Sequence, residues 1–161
     1  MKHDKTLGWL GGLWVLVGVM AACGPASEVM VPTGYVQMDE DELYGSMAQK
    51  LVSADGAIVL VREREHEPEG NLDFWAEAFE REVTLGRGYT LLNNEEVVAG
   101  RRSGKLMRFK GTYQEQTYLY NIALFVTEDL IVTVETTALE EDSERHEAAF
   151  SEAITSLRID D

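Results

Sequence analysis

The residue best equipped for chemistry is Cys23, the only cysteine in the 161-residue chain. It follows Ala21 and Ala22 and precedes Gly24. Small side chains just ahead of a cysteine are what lipoprotein signal peptidases recognise, and the thiol of such a cysteine carries a diacylglyceryl group. The position ahead of the alanines is usually leucine; here it is Met20, of similar volume and polarity. Lys2 and Lys5, with Asp4 between them, stand before an uncharged apolar stretch from Leu7 to Met20, the layout of a secretory signal peptide. Leu7 to Ala22 spans 16 residues, short of the roughly 20 that cross a bilayer as a helix. The sequence therefore predicts a signal peptide over 1–22, a lipidated tether over 23–28 and one domain over 29–161. A secreted chain with a single cysteine forms no internal disulfide, and lipidation accounts for the remaining thiol. Some lipoproteins are retained at the inner membrane by an aspartate after the cysteine. Gly24 in that place points to the outer membrane, facing the periplasm.

No other motif assembles a reactive site. Ala99 to Leu106 approaches a phosphate-binding loop at Gly104-Lys105, yet alanine replaces its opening glycine and leucine its hydroxyl residue. Gly86-Arg87-Gly88 lacks the third glycine of a dinucleotide fingerprint. Asp39 and Asp41 begin like a calcium loop, but Leu43 and Tyr44 take the next ligand and glycine positions. His3 belongs to the signal segment. His66, within Glu63-Arg64-Glu65-His66-Glu67 and close to Pro68, reads as a solvated surface loop. His146 reads as a packing residue at the start of the last helix. There is no Gly-x-Ser-x-Gly elbow and no cysteine–histidine pair. The expectation is a protein without catalytic residues, metal or cofactor; the competing class is an envelope hydrolase with an unrecognised site.

Charge limits the partners. The chain has 14 basic and 29 acidic residues, net −15; removing 1–22 takes away two lysines and one aspartate and leaves 12 and 28. Such a domain repels nucleic acid and anionic headgroups and favours the soluble monomer. Its only basic concentration is Arg101, Arg102, Lys105, Arg108 and Lys110. Arg102, Lys105, Arg108 and Lys110 are the candidate partner-binding residues, with Arg108 and Lys110 on the strand face of Leu106. Pairing with the surplus carboxylates is the other explanation of this group.

The elements that would hold these residues follow from the pattern of apolar and turn residues. Val29–Met38 reads as a leading strand with a turn or bulge at Pro32-Thr33-Gly34. Gln49–Ser53 and Ala57–Arg64 flank Ala54-Asp55-Gly56, a hairpin signal. Asn71 caps a helix to about Leu85, with Leu72, Trp75, Ala76, Phe79 and Val83 as its apolar stripe; Gly86-Arg87-Gly88 ends it. Strands follow at Glu96–Arg101, Leu106–Thr112, Thr117–Val126 and Leu130–Ala138. Tyr118, Tyr120, Ile122, Leu124 and Val126 alternate with Leu119, Asn121, Ala123 and Phe125, so Thr117–Val126 is expected to be a central strand. Short links favour antiparallel pairing. A last helix runs from about Ser143 to Leu157. The fold class is α+β: a central antiparallel sheet of six to seven strands flanked by two helices.

The order of these elements resembles the DcrB-like lipoproteins and, more remotely, the PsbP-type fold. The likeness is carried by Val31-Pro32-Thr33-Gly34-Tyr35, the helix with Phe74-Trp75, the strand Tyr118–Val126 and the closing Ile154-Thr155-Ser156-Leu157-Arg158-Ile159. It implies a sheet flanked by helices and a binding or assembly role, with no active site to carry over. The role of cytoplasmic effector chaperones in that family does not suit a chain with an export signal. An extrinsic photosynthetic subunit is a further reading that rests on fold analogy alone. The sequence thus leads to an envelope lipoprotein that docks a protein partner on its sheet.

Overall fold

The structure, a computed structural model, describes residues 25–160; the predicted signal segment and Cys23 lie outside the described residues. The chain runs through β1 (Ser27–Glu28), β2 (Tyr35–Gln37), β3 (Met47–Ser53), β4 (Ile58–Glu65) and α1 (Leu72–Arg81). It continues through β5 (Thr90–Ala99), β6 (Arg102–Tyr113), β7 (Gln116–Val126), β8 (Leu130–Leu139), α2 (Ser143–Thr155) and β9 (Arg158–Ile159). Seven strands form one antiparallel sheet in the order β2-β3-β4-β8-β7-β6-β5, and β1 pairs with β9 in a second, small sheet.

β7 shows why both faces are covered. Its even-numbered residues Tyr120, Ile122 and Leu124 join Met107, Phe109 and Ile131 beneath Ala76 and Phe79 of α1. Its odd-numbered Ala123 and Phe125 join Val59, Val61, Val132 and Val134 beneath Phe150, Ala153 and Ile154 of α2. Burying each of the larger side chains stabilises the fold by about 1.5–3 kcal/mol. The result is the α+β architecture that the alternation in Thr117–Val126 and the two helical stripes imply.

Local chemistry sets the boundaries. Asn71 accepts a hydrogen bond from the Phe74 N–H at 2.8 Å and opens α1. A π turn over Glu82–Gly86 prolongs the helix so that Val83 still reaches the core. Gly56, at φ +88°, closes the β3–β4 hairpin in a conformation that L side chains rarely adopt.

Four expectations change. The leading strand is broken into β1 and β2, because Pro32 donates no ladder bond and Tyr35 N–H turns back to the Pro32 carbonyl at 3.1 Å. β5 starts at Thr90 and ends at Ala99, six residues earlier than the expected start and two before the expected end. Its polar stretch Asn93-Asn94-Glu95-Glu96 lies on a sheet edge, where exposed side chains face water. α2 stops at Thr155. The following Arg158–Ile159 forms a strand that receives the N-terminal segment, so residues 27–28 belong to the folded unit.

Candidate functional site

The four basic candidates do not form one open stripe. Arg108 faces α2, 3.3 Å from Glu147, and also approaches Glu95 at 3.4 Å. Lys110 meets Glu140 at 2.6 Å. Lys105 points to the α1 side and lies 3.5 Å from Asp73 and 4.0 Å from Glu96. Arg102, half-buried at the start of β6, is engaged as well. Each cation is thus tied to local structure, and the pairs at Glu140 and Glu147 bracket the first turns of α2. Partly exposed pairs of this kind contribute about 0–1 kcal/mol apiece.

The histidines are more firmly placed than the sequence suggests. His66 is half-buried rather than solvated: Nδ1 lies 2.8 Å from the Thr127 carbonyl, and Nε2 faces the Gly70 carbonyl at 2.7 Å and its N–H at 3.0 Å. Backbone partners of this sort leave no trace in local composition. His146 is buried and stacks on Phe150, with ring centroids 5.7 Å apart. Its Nδ1 stands 2.7 Å from the Tyr35 hydroxyl and its Nε2 3.2 Å from Asp55. In the neutral ring, Tyr35 O–H donates to Nδ1 and Nε2–H donates to Asp55.

This row has the outline of a proton relay, with a phenol at its end that stays protonated. Burial, and then the nearby Asp55 charge, push the Tyr35 phenol up to about 12, away from an activated nucleophile. The Ser53 hydroxyl, chiefly, holds the Asp55 carboxyl below its ordinary value. The arrangement works as a latch joining β2, the β3–β4 turn and α2. Because the folded Asp55 is the stronger acid, its stabilisation is fully present above about pH 3.8, the ordinary value, and vanishes as pH falls through the lowered folded value. Thermal melts from pH 7 down to pH 2 should therefore show a steeper acid loss for the wild type than for Asp55→Asn. Parallel curves would remove this role. Among the described residues no group of three His, Cys, Asp or Glu side chains is placed to hold a metal.

Part of the α1 side of the sheet is not reached by α1. That helix lies over β6 and β7. Register places Val36, Val52, Ile58, Thr137 and Tyr120 in one row across the sheet, with Lys50, Leu60, Glu135 and Ile122 in the next. Val36 is 67% exposed, and Val52, Ile58 and Leu60 are only half-buried. Lys50 makes no ion pair among the described residues, while Arg62 lies 3.2 Å from Glu135. This is an open, mixed apolar and basic sheet face.

Beside the segment that follows α1 it deepens into a cleft of about 370 Å³, lined by Arg87, Tyr89, Tyr113, Tyr118, Tyr120 and Thr137. Tyr120 is buried, and its hydroxyl donates to Glu135 at 2.9 Å. Burial, and secondly the Glu135 charge, raise its pKa far beyond the ordinary phenol value, so it stays protonated as a donor. Tyr89 meets Tyr120 edge-on at 6.1 Å. It sits over Gly111, where a Cβ would come within 2.5 Å of the Tyr89 ring. The Arg87 guanidinium lies 5.7 Å from the Tyr120 ring centroid and 2.7 Å from Glu82. Desolvation opposes its charge, but the bonds to Glu82 and Tyr120 outweigh it and keep the guanidinium's pKa above its ordinary value.

Neither a family model nor a curated protein matches this chain. Several solved structures do. The chain is similar to LpqN of Mycobacterium tuberculosis, described as involved in cell envelope biogenesis, with TM-score 0.66 and 9% identity over 88% of each chain. It is similar to the cyanobacterial PsbP (CyanoP) of Synechocystis sp. PCC 6803, with TM-score 0.57 and 13% identity over 83% of this chain and 86% of that one. A Pseudomonas aeruginosa protein described as a putative regulator, PA94, gives TM-score 0.54 and 11% identity over 76% and 78%. The shared feature is the architecture, and this chain has a PsbP-type fold.

Proposed function

We propose that this chain is a lipid-anchored lipoprotein of the bacterial cell envelope that binds a protein partner on the uncovered half of its sheet and carries out no catalysis. The observation that carries the reading is the open face of Val36, Val52, Ile58 and Leu60 with Lys50 among them. A contiguous apolar patch with a cation in it is an interaction surface by chemistry. The likeness in fold to LpqN, a protein involved in cell envelope biogenesis, supports the location. The Tyr35–His146–Asp55 row, the arrangement nearest to an enzyme site, has an unactivated phenol.

The way the N-terminal segment is fastened supports an oriented anchor. The Asp160 N–H donates to the Ala26 carbonyl at 2.7 Å, and the Ser27 N–H and hydroxyl both donate to Glu63. Val29 and the Gln49 side chain exchange two hydrogen bonds, at 2.8 and 3.1 Å. The domain thus begins three residues after Cys23. Glu63 pairs with Val132 and, through it, lies level with Phe125 at the far end of β7 from Tyr118. Seven residues of strand separate those two levels, roughly 24 Å. An anchor at Cys23 therefore holds the Glu63 end near the bilayer and presents the cleft away from it.

The test is a photo-crosslinking residue placed in intact cells at Leu60, on the open face, or at Ser151, on the outer side of α2. The expected result is one reproducible protein captured from position 60, absent from position 151 and lost when Lys50→Glu is added. The same set of proteins from both positions, or capture indifferent to Lys50→Glu, would refute the docking face.

A further inference from the structure

We propose that the tyrosine cleft is the specificity pocket of this docking face, and that it takes an aromatic side chain lying beside a carboxylate in an extended segment of the partner. The inference rests on the docking reading above and adds the chemistry that the partner must present.

The cleft is preformed. Tyr120 is 7% exposed with its hydroxyl committed to Glu135. Tyr89 packs edge-on against Tyr120 and lies over Gly111, whose lack of a Cβ leaves room for the ring. Tyr113, 62% exposed, and Tyr118, whose hydroxyl donates to Gln116 at 3.0 Å, form the rim. A guest ring between such walls gains edge-on and offset contacts worth about 0.5–1.5 kcal/mol beyond simple burial. A volume of about 370 Å³ admits a side chain with part of its backbone.

Charge selects among aromatic guests. The chain carries −15 overall, yet the one charged residue lining this cleft is Arg87. Its Nη2 donates to Glu82, and a guanidinium has five N–H donors in a planar fork, so that bond leaves further donors on a residue that lines the cleft. Four phenol faces would otherwise suit a cationic guest. A guanidinium among them turns the preference to an anion.

Geometry makes the guest part of a chain. Val36, Val52, Ile58 and Thr137 lead across the sheet in a single row that ends on Tyr120. Four strand spacings are about 19 Å, the length of roughly six extended residues. A segment laid along that row delivers its terminal residue into the cleft. Its apolar side chains rest on the valines and isoleucine, and its carboxylate meets Arg87.

The experiment titrates the processed, full-length lipoprotein in neutral detergent micelles with three probes: N-acetylphenylalanine, its amide and phenethylamine. Amide resonances of Gly111 and Tyr120 report occupancy. N-acetylphenylalanine should shift both and bind about tenfold more tightly than the amide, the effect of one partly exposed charge-assisted contact. Phenethylamine should shift neither. Arg87→Gln, which leaves the tyrosine walls in place, should bring acid and amide to equal affinity. Equal affinity in the wild type, or no shift at Gly111 and Tyr120 with any probe, would overturn the proposal. A selective response to the acid combined with no protein captured at Leu60 would leave the cleft assignment standing and sink the docking reading alone.

Discussion

A Gly104→Ala protein is expected to lose about 2–3 kcal/mol of stability, in the range for overpacking a filled core, and to melt roughly 10 °C lower. Gly104 is buried near the start of β6. A Cβ there would stand 2.5 Å from the Leu124 carbonyl oxygen and 2.7 Å from the ring of Phe125, itself only 1% exposed. One neighbour is backbone in the adjacent strand and the other is locked in the core, so neither yields cheaply. Gly111→Ala, seven positions along the same strand, is the matched control. The three atoms nearest its Cβ would all belong to the Tyr89 ring, the closest at 2.5 Å, and that ring is half-buried at the edge of the cleft. Displacement of that one half-buried side chain relieves the clash, so the loss should be smaller, about 1 kcal/mol. Thermal melts of the two variants side by side check the ordering. Equal destabilisation would contradict the packing described at one of the two glycines.

Much of the frame was legible because short-range rules govern it. Asn71 with its stripe at three- and four-residue steps could only open a helix against a core. The Thr117–Val126 alternation could only be a strand covered on both sides. Asp55-Gly56 marked its hairpin. The edge strand was harder: Asn93-Asn94-Glu95-Glu96 has loop composition, and its partner β6 is what makes it extended. His66 was misread because its partners are the backbone of Gly70 and Thr127, which no local window contains.

The open face was hidden for a geometric reason. Alternation tells which residues share a side of a sheet, but not how much of that side a helix covers. α1 and its π turn have 10 and 5 residues, roughly 20 Å of helix, against a sheet of seven strands, about 29 Å across. The remainder is what lies bare. Arg108 and Lys110 share a face, as their spacing implies, and it is the face on which α2 lies, where each meets a carboxylate of that region. The cleft joins Tyr113, Tyr118 and Tyr120 from two strands with Arg87 and Tyr89 from the segment between α1 and β5, a convergence that the β5–β6–β7 register creates.

Replacing Cys23 with alanine should abolish lipidation altogether, the largest change expected from any single substitution in this chain. Each buried methylene contributes about 0.8 kcal/mol to membrane binding, and one acyl chain alone holds a protein only marginally. A diacylglyceryl thioether exceeds that threshold, and no other cysteine exists to carry it. Among the described residues no helix is long and apolar enough to cross a membrane. Fractionation alone would mislead, because a variant that escapes processing keeps its apolar leader and sediments with membranes. Incorporation of labelled palmitate in growing cells is therefore the deciding measurement: the wild type should carry the label and Cys23→Ala none. Label persisting in Cys23→Ala, or absent from the wild type, would contradict the anchored lipoprotein on which the orientation of the docking face depends.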